Sequence, residues 1–285
     1  MLQLAKNISQ LKHKENLLQE VIIVNNNSTE DYAELKNYID KTENINFRYF
    51  ESKENLGVSR GRNFAIEQAT APLLLMLDDD CELEGTDALT QIENLFNEND
   101  TLGLVSMKVV YFENNKIQRN TFPHKQFKKY KDIQKFKTYY FAGGAHIVRK
   151  EVIDLIGSYP IDFFYGMEEY DLSYRIINAG YSIEYNSSIT MRHKESPEGR
   201  QPKKEKLQGM WLNKSKVAWK YLPLYYFIST SILWSFFYLK NTKFDFLGFI
   251  KTWAKIYRIP KEIIKSNVKR STMQYLQKVE ARLWY

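Results

Sequence analysis

A chain of 285 residues, 44% apolar and 15% aromatic, is long enough for one large domain with a sizeable core. Its single cysteine, Cys81, excludes an intramolecular disulfide and a multi-cysteine metal site. The net charge of +7 is unevenly placed: residues 200–285 hold 18 Lys and Arg against 4 Asp and Glu, a balance of +14, which leaves −7 on residues 1–199. An acidic body with a basic tail suits an anionic surface, membrane or nucleic acid.

The opening stretch, MLQLAKNISQLKHKENLLQE, is amphipathic and charged within six residues, without a secretory hydrophobic segment, so the cytoplasm is the default compartment. EVIIVNNNSTEDY (20–32) reads as a β-branched strand running into a polar turn, where Ser28, Thr29 or Asp31 caps a helix over about 31–41. INFRYFES (45–52) is a second strand, and NLGVSRGRNFAIEQAT (55–70) a glycine-containing loop followed by a helix. APLLLMLDDD (71–80) is a strand too apolar to be half exposed; a helix (87–100) and another strand (101–113) follow. Alternating strands and helices, with strands that lack polar alternation, predict a mostly parallel sheet with helices on both faces. Ligands bind such sheets beyond the carboxyl ends of the strands, where Asp78, Asp79 and Asp80 lie.

Residues 114–140, basic and aromatic, read as a mobile or inserted segment. FAGGAHIVRKEVIDLIGSYP (141–160) is a small-residue turn, a strand and a short helix. Residues 161–186 are a loop, a helix ended by Gly180 and a strand that continues to His193. From about 205 the chain turns helical, aromatic and basic. Within it YLPLYYFISTSILWSFFYL (221–239) is 19 residues without a charge between Lys220 and Lys240, long enough to span a bilayer. Its Tyr, Ser and Thr content lowers its hydrophobicity, and Lys and Arg on both flanks give no orientation. An interfacial helix on an anionic leaflet is favoured over a core or dimer helix, and both over a span.

Three adjacent carboxylates repel one another and resist burial unless a cation joins them. Asp78–Asp80 at a strand end, Glu168, Glu169 and Asp171 at a helix start, and His193 at another strand end suit a hard divalent cation, Mg²⁺ or Mn²⁺, completed by a diphosphate. Each cluster also has a plainer reading. The aspartates can form a solvated turn, Glu168 can favour a helix N-terminus, Asp171 can pair with Arg175, Arg62 can pair with a surface acid, and His193 can be structural. His13, His124 and His146 receive no role.

VIIVNNNSTE, NLGVSRGRNFAI, LDDD and FYGMEEYDLSYRI followed by His193 in MRHKES, taken in order over about 20–200, resemble glycosyltransferase family 2 with its GT-A, Rossmann-like fold. The resemblance implies residues 1–204 as the catalytic domain and 205–285 as a helical, basic, membrane-proximal or oligomerising appendage. It implies that Asp78, with Asp79 beside it, faces the nucleotide, that Asp80 and His193 bind the metal, and that Arg62 and Asn63 contact the donor. Asn25, where the family usually has Asp, would read the base, and Gly143 and Gly144 would line the donor-sugar side. Glu169 would be the base of an inverting transfer, with Glu168 and Asp171 crowding it and raising its pKa. The implied activity is a hexosyl- or deoxyhexosyltransferase moving sugar from a nucleotide-diphosphate donor to a glycan or lipid-linked glycan in polysaccharide synthesis, at the inner face of the membrane. The family opens with a strand ending in a P-x-Y-N turn. Here LAKNISQLKHKENL reads as the helix after it, so a truncated or misassigned start is expected. The rival readings are an inactive truncated homologue, a nucleotidyltransferase, which would want an N-terminal Gly-rich phosphate loop that is not present, and a nucleic-acid binder, which the basic tail beside an apolar run disfavours.

Overall fold

The computed structural model describes residues 1–194 and 203–284. Residues 195–200 of the MRHKESPEGR stretch lie outside the described residues. α1 (Leu2–Ser9) and α2 (Lys14–Leu17) are separated at His13, whose φ of 56° is left-handed. β1 (Val21–Asn25), α3 (Ala33–Asp40), β2 (Phe47–Glu51) and α4 (Gly57–Gln68) come next, then β3 (Leu73–Leu77), β4 (Cys81–Leu83), α5 (Ala88–Asn97) and β5 (Leu102–Tyr111). α6 (Phe127–Tyr130), β6 (Lys135–Thr138), β7 (Ala145–Arg149) and α7 (Lys150–Ile156) lead to α8 (Glu168–Asn178) and β8 (Ser182–His193). Four helices close the described chain: α9 (Lys203–Tyr221), α10 (Leu224–Asn241), α11 (Phe246–Glu262) and α12 (Arg270–Lys278). None of the three residues proposed to cap α3 is its N-cap, which is Tyr32; Asp31, one residue earlier, accepts from the Ala33 amide through Oδ1 at 2.8 Å.

The α/β class is as expected, but the strand directions are not. β1 pairs in parallel with β2 as a separate two-stranded sheet. The larger sheet has the order β3-β7-β5-β8-β4, with β6 also on β8. Within it only β5 and β8 run parallel; the β3–β7, β5–β7, β4–β8 and β6–β8 pairs are antiparallel. The apolar strands lack alternation because both faces are covered, whatever the strand direction. Along β5, Leu104 joins one apolar cluster with Tyr174, Trp211 and Ile183, while Val105 and Met107 join another with Ile92 and Phe96 of α5.

β1 finds its sheet partner only in β2, and β3 only in β7, among the described residues. Between them lies a cavity of about 2000 Å³, lined by β1, by β3 and by Leu4 and Ile8 of α1.

Residues 114–140 are not a loose insert. Ile117 bridges to Val110, β6 extends the sheet beside β8, and Phe122 packs edge-on against Phe127 and Tyr185. The C-terminal helices are likewise built into the body rather than appended to it. One apolar cluster joins Leu172, Ile183, Trp211, Tyr238, Ile256 and Leu276. Tyr275 on α12 donates to the Thr138 carbonyl at 2.9 Å. No helix among the described residues is long and apolar enough to cross a membrane. On α10, Leu224, Ile228, Ile232 and Phe236, spaced at four, are exposed, as are Phe244, Phe246, Leu247 and Ile250 in the following turn and α11.

Trp211 anchors this helical wall. It is fully buried, its Nε1 donates to the Ser231 carbonyl at 3.0 Å, and its ring packs on Tyr238, Phe249 and Trp253. Trp211→Ala is expected to lower unfolding free energy by about 3–5 kcal/mol in denaturant titrations, because the cavity left cannot fully collapse.

Candidate active site

The apolar strand β3 delivers Asp78 to the rim of the sheet, and the Asp78 amide donates to the Gly144 carbonyl at 3.2 Å. β3 pairs with β7 so that Leu77 faces Ala145, which places the 142–144 turn against the Asp78 carboxylate. A Cβ on Gly144 would collide with that carboxylate, and one on Gly143 would collide with Glu169 and Arg62. Small residues at 143 and 144 are therefore a condition for these charged groups to meet.

Arg62 comes from α4, whose start is tied to the end of β1 by Asn26; its Oδ1 accepts from the Leu56 amide at 2.8 Å. The guanidinium reaches Asp78 Oδ1 and Glu168 Oε1, both at 3.3 Å, and lies over the Tyr159 ring. Burial opposes its charge, but Asp78, Tyr159, Glu168 and Glu169 around it outweigh burial and hold its pKa above the usual value.

α8 supplies the acids. Gly166 and Met167 both have positive φ, at 83° and 73°, and this sharp turn points the first residues of α8 at Arg62. Glu168 is 2% exposed, and its Oε2 has no hydrogen-bond partner, an orphaned acceptor aimed into a polar site. Burial, reinforced by the Glu168 charge and moderated by Arg62, pushes Glu169 up to about 8.

β4 pairs antiparallel with β8, Cys81 facing His193, which brings two distant segments together just after Asp80. His193 Nε2 is 3.1 Å from Asp80 Oδ1, and His193 Nδ1 faces Gln118 Oε1 at 3.1 Å. With Nδ1 donating to this amide oxygen, Nε2 of the neutral ring presents its lone pair toward Asp80. A carboxylate and an imidazole oriented in this way fit a divalent cation. No group of three or more His, Cys, Asp and Glu among the described residues is arranged to hold a metal, so further ligands would be oxygens of substrate and water.

Two cavities meet here. The first, between β1 and β3, extends past Asn25, Asp78, Asp79 and Asp80. The second, of about 990 Å³, is lined by Gly143, Gly144, Glu168, Glu169, Lys214 and Phe237. Arg62, Asp78, Asn120 and His193 line both. The site residues suggested by the sequence thus divide. Asp78, Asp79, Asp80, Arg62, Glu168, Glu169, Gly143, Gly144 and His193 come together at this junction. Asn25 lies on the first cavity, but its amide is engaged locally, donating to Glu51 Oε1 and accepting from the Ser28 amide.

Asn63 and Asp171 are not brought to the junction. Asn63 is turned into the core, where its amide holds Ser158 and the backbone of Tyr159. Asp171 binds Arg175 at 2.7 Å, Tyr221 at 2.8 Å and Lys220 at 3.2 Å, fastening α8 to α9. Both lie on the far side of their helices from the reacting groups. Gln118, Asn120 and Lys214 carried no sequence signal, because they reach the site from segments read as an insert and an appendage.

The sequence model of the family described as "Glycosyl transferase family 2" matches residues 2–157. An uncharacterised protein of Haemophilus influenzae is 33% identical over 150 residues, 52% of this chain and 80% of that protein. The fold is similar to GalNAc-T7 bound to UDP, GalNAc and Mn²⁺, with a TM-score of 0.64 at 15% identity over 90% of this chain, which spans 54% of the GalNAc-T7 chain. It is similar to S. aureus TarS in complex with UDP-GlcNAc, with a TM-score of 0.63 at 14% identity, covering 90% of this chain and 76% of that one. A mannosyltransferase of Pyrobaculum calidifontis with GDP-Man and Mn²⁺ gives a TM-score of 0.55 at 15% identity over 98% of this chain and 71% of its own. These likenesses show a GT-A arrangement.

The raised Glu169 pKa has a sign that stability measurements can read. The folded chain holds this proton more tightly than the unfolded one, so stability falls as pH rises from the ordinary carboxylate range through about 8. Glu169→Gln removes the difference. Its melting temperature is expected to drop less than that of the parent chain as pH is raised across this range, in calorimetric scans.

Proposed function

The chain belongs to glycosyl transferase family 2, and from that premise we propose that it transfers a sugar from a nucleoside-diphosphate donor to a hydroxyl group with inversion at the anomeric carbon. The observation that carries this reading is the junction of two cavities at Arg62 and Asp78, with Glu169 on the second only. The donor fits the side lined by Asn25 and Asp78–Asp80, and the acceptor the side lined by Glu169. The acceptor oxygen gives its proton to the Glu169 carboxylate and bonds to the anomeric carbon as the bond to the diphosphate oxygen breaks. The products are a glycoside and a nucleoside diphosphate. A base with a pKa near the working pH is suited to this step.

Arg62 carries a permanent positive charge beside the departing diphosphate, and Asp78 and Glu168 hold it in place. Asp80 and His193 would hold Mn²⁺ or Mg²⁺, which neutralises charge on the leaving group. Solved relatives hold UDP, UDP-GlcNAc or GDP-Man, which supports a nucleotide-sugar donor here.

The acceptor is proposed to be a glycan or lipid-linked glycan of a surface polysaccharide, met at the inner face of the membrane. Support comes from the exposed apolar face of α10 and α11, flanked by Lys240, Lys243, Lys251 and Lys255. That combination suits an anionic interface. A second reading, a homologue without activity that only binds a partner, is favoured by the open cavity between β1 and β3.

Titration calorimetry with UDP, dTDP and GDP, with and without Mn²⁺, tests the donor site. Manganese-dependent binding lost in Asp80→Ala is expected. Glu169→Gln should keep that binding and lose about 10²–10⁴ in transfer rate. No nucleotide binding, with or without Mn²⁺, sinks the transferase activity.

Vesicle sedimentation tests the membrane contact. The chain is expected on phosphatidylglycerol vesicles and not on neutral ones, with binding weakened by salt and by Ile232→Asp combined with Phe236→Asp.

A further inference from the structure

The acceptor-side cavity holds a cation that the transfer chemistry does not use. Lys214, on α9, is 7% exposed and lines the cavity together with Glu169. Its Nζ lies 3.5 Å from the centroid of the Tyr170 ring. Among the described residues it has neither a carboxylate nor a hydrogen-bond acceptor as partner. Its neighbours on the same helix are paired: Lys216 with Asp162 at 2.5 Å and Lys220 with Asp171 at 3.2 Å. Of the acids that line the cavity, Asp78 and Glu168 are held by Arg62, and Glu169 is placed beside Arg62 and Gly143; none of them is paired with Lys214.

The remaining charge around Lys214 has its own sign. Arg119, Lys125, Lys206 and Arg282 all line the same cavity. Burial, and then the charge of Arg282, pull the Lys214 ammonium down to about 7. A buried cation that faces other cations and an open cavity is unfavourable until an anion arrives. An aromatic face beneath it steadies the ammonium but leaves its N–H groups without acceptors. The cavity also continues to Phe237 of α10, the helix that carries the exposed apolar stripe.

We propose that Lys214 anchors a phosphate group carried by the acceptor, so that the substrate is a phosphate-bearing glycan or glycolipid whose hydroxyl is thereby set beside Glu169. This rests on the assignment of the second cavity to the acceptor. Arg282 beside Lys214, and further cations on the same cavity wall, favour a doubly charged phosphate over a carboxylate. Lys214 is a positioning residue: it orders the acceptor and takes no part in the proton transfer.

The test uses the whole chain with its donor side filled by UDP and Mn²⁺. Inorganic phosphate, then glycerol 1-phosphate and a short-chain prenyl phosphate in detergent micelles, are titrated in at constant ionic strength, with acetate as the carboxylate comparison. Saturable phosphate binding is expected, stronger than acetate binding. Lys214→Met should weaken it about tenfold or more, Lys214→Arg only a few-fold, and UDP affinity should be unchanged in both. Tighter binding of the prenyl ester would place the phosphate on a lipid; equal binding of the two esters would place it on a soluble glycan. In the parent chain, ¹³C resonances of the Lys214 side chain should titrate at higher pH once phosphate is present, a reading that needs no substitution.

Phosphate binding that ignores Lys214→Met, or an unshifted Lys214 titration while UDP binds normally, overturns the proposal and leaves the donor reading intact. If UDP does not bind, the donor reading has failed, and the Lys214 titration with phosphate still decides this one.

Discussion

The Arg62 guanidinium, held between Asp78 and Glu168 and over Tyr159, is the contact on which the site depends. It joins α4, the end of β3 and the start of α8, three elements far apart in the chain. Without it the half-exposed Asp78 carboxylate and the buried Glu168 carboxylate would lose their shared cation, and Glu168 would be left buried with no charge partner. With it, Asp78 and Glu168 share one cation, and the next acid, Glu169, is the group whose pKa burial raises. One cation therefore divides the carboxylates into those that bind and one that can act as a base.

Glycines allow this arrangement. The 143–144 turn passes so close to Asp78, Arg62 and Glu169 that a methyl group at either position would push the charges apart. Gly166 and Met167 bend the backbone into the left-handed region so that α8 begins pointing at Arg62. Away from the junction, Asp171 fastens α8 to α9 through Arg175, Lys220 and Tyr221, and so carries Lys214 and the helical wall into fixed relation with Glu169. Glu169, which lines the cavity, and Asp171, which fastens two helices, belong to one short helix and differ in which side of it they face.

The same chain has one face with charge converging on a cavity and another with exposed aliphatic and aromatic residues along α10 and α11. Trp234 and Phe237 of α10 line the second cavity, and Ile228, Ile232, Phe236 and Phe237 itself are exposed. One helix thus connects the acceptor side to an apolar surface. The helix is too polar to cross a bilayer, and its hydroxyl groups are used inside, Ser231 Oγ donating to Ser215 at 3.1 Å and Trp211 donating to the Ser231 carbonyl.

Local signals determined most of the elements: apolar runs located β1, β3, β5 and β7, and polar turns, Asp31 and Gly180 located helix ends, because these depend on neighbours a few residues away. The ordered acidic motifs also pointed to Asp78, Asp80, Glu168 and Glu169, which the fold brings around the two cavities. Strand direction was decided only in the folded chain, since burial on both faces erases alternation equally in parallel and antiparallel sheets. The packing of residues 114–140 and of the C-terminal helices was decided there too, because basic and aromatic composition is the same whether rings face solvent or one another. Asn63 and Asp171 share local sequence with Arg62 and Glu169, and only the rotation of each helix against its neighbours set them in the core. Gln118 and Lys214 entered the site by long-range contact, which no spacing in the sequence records.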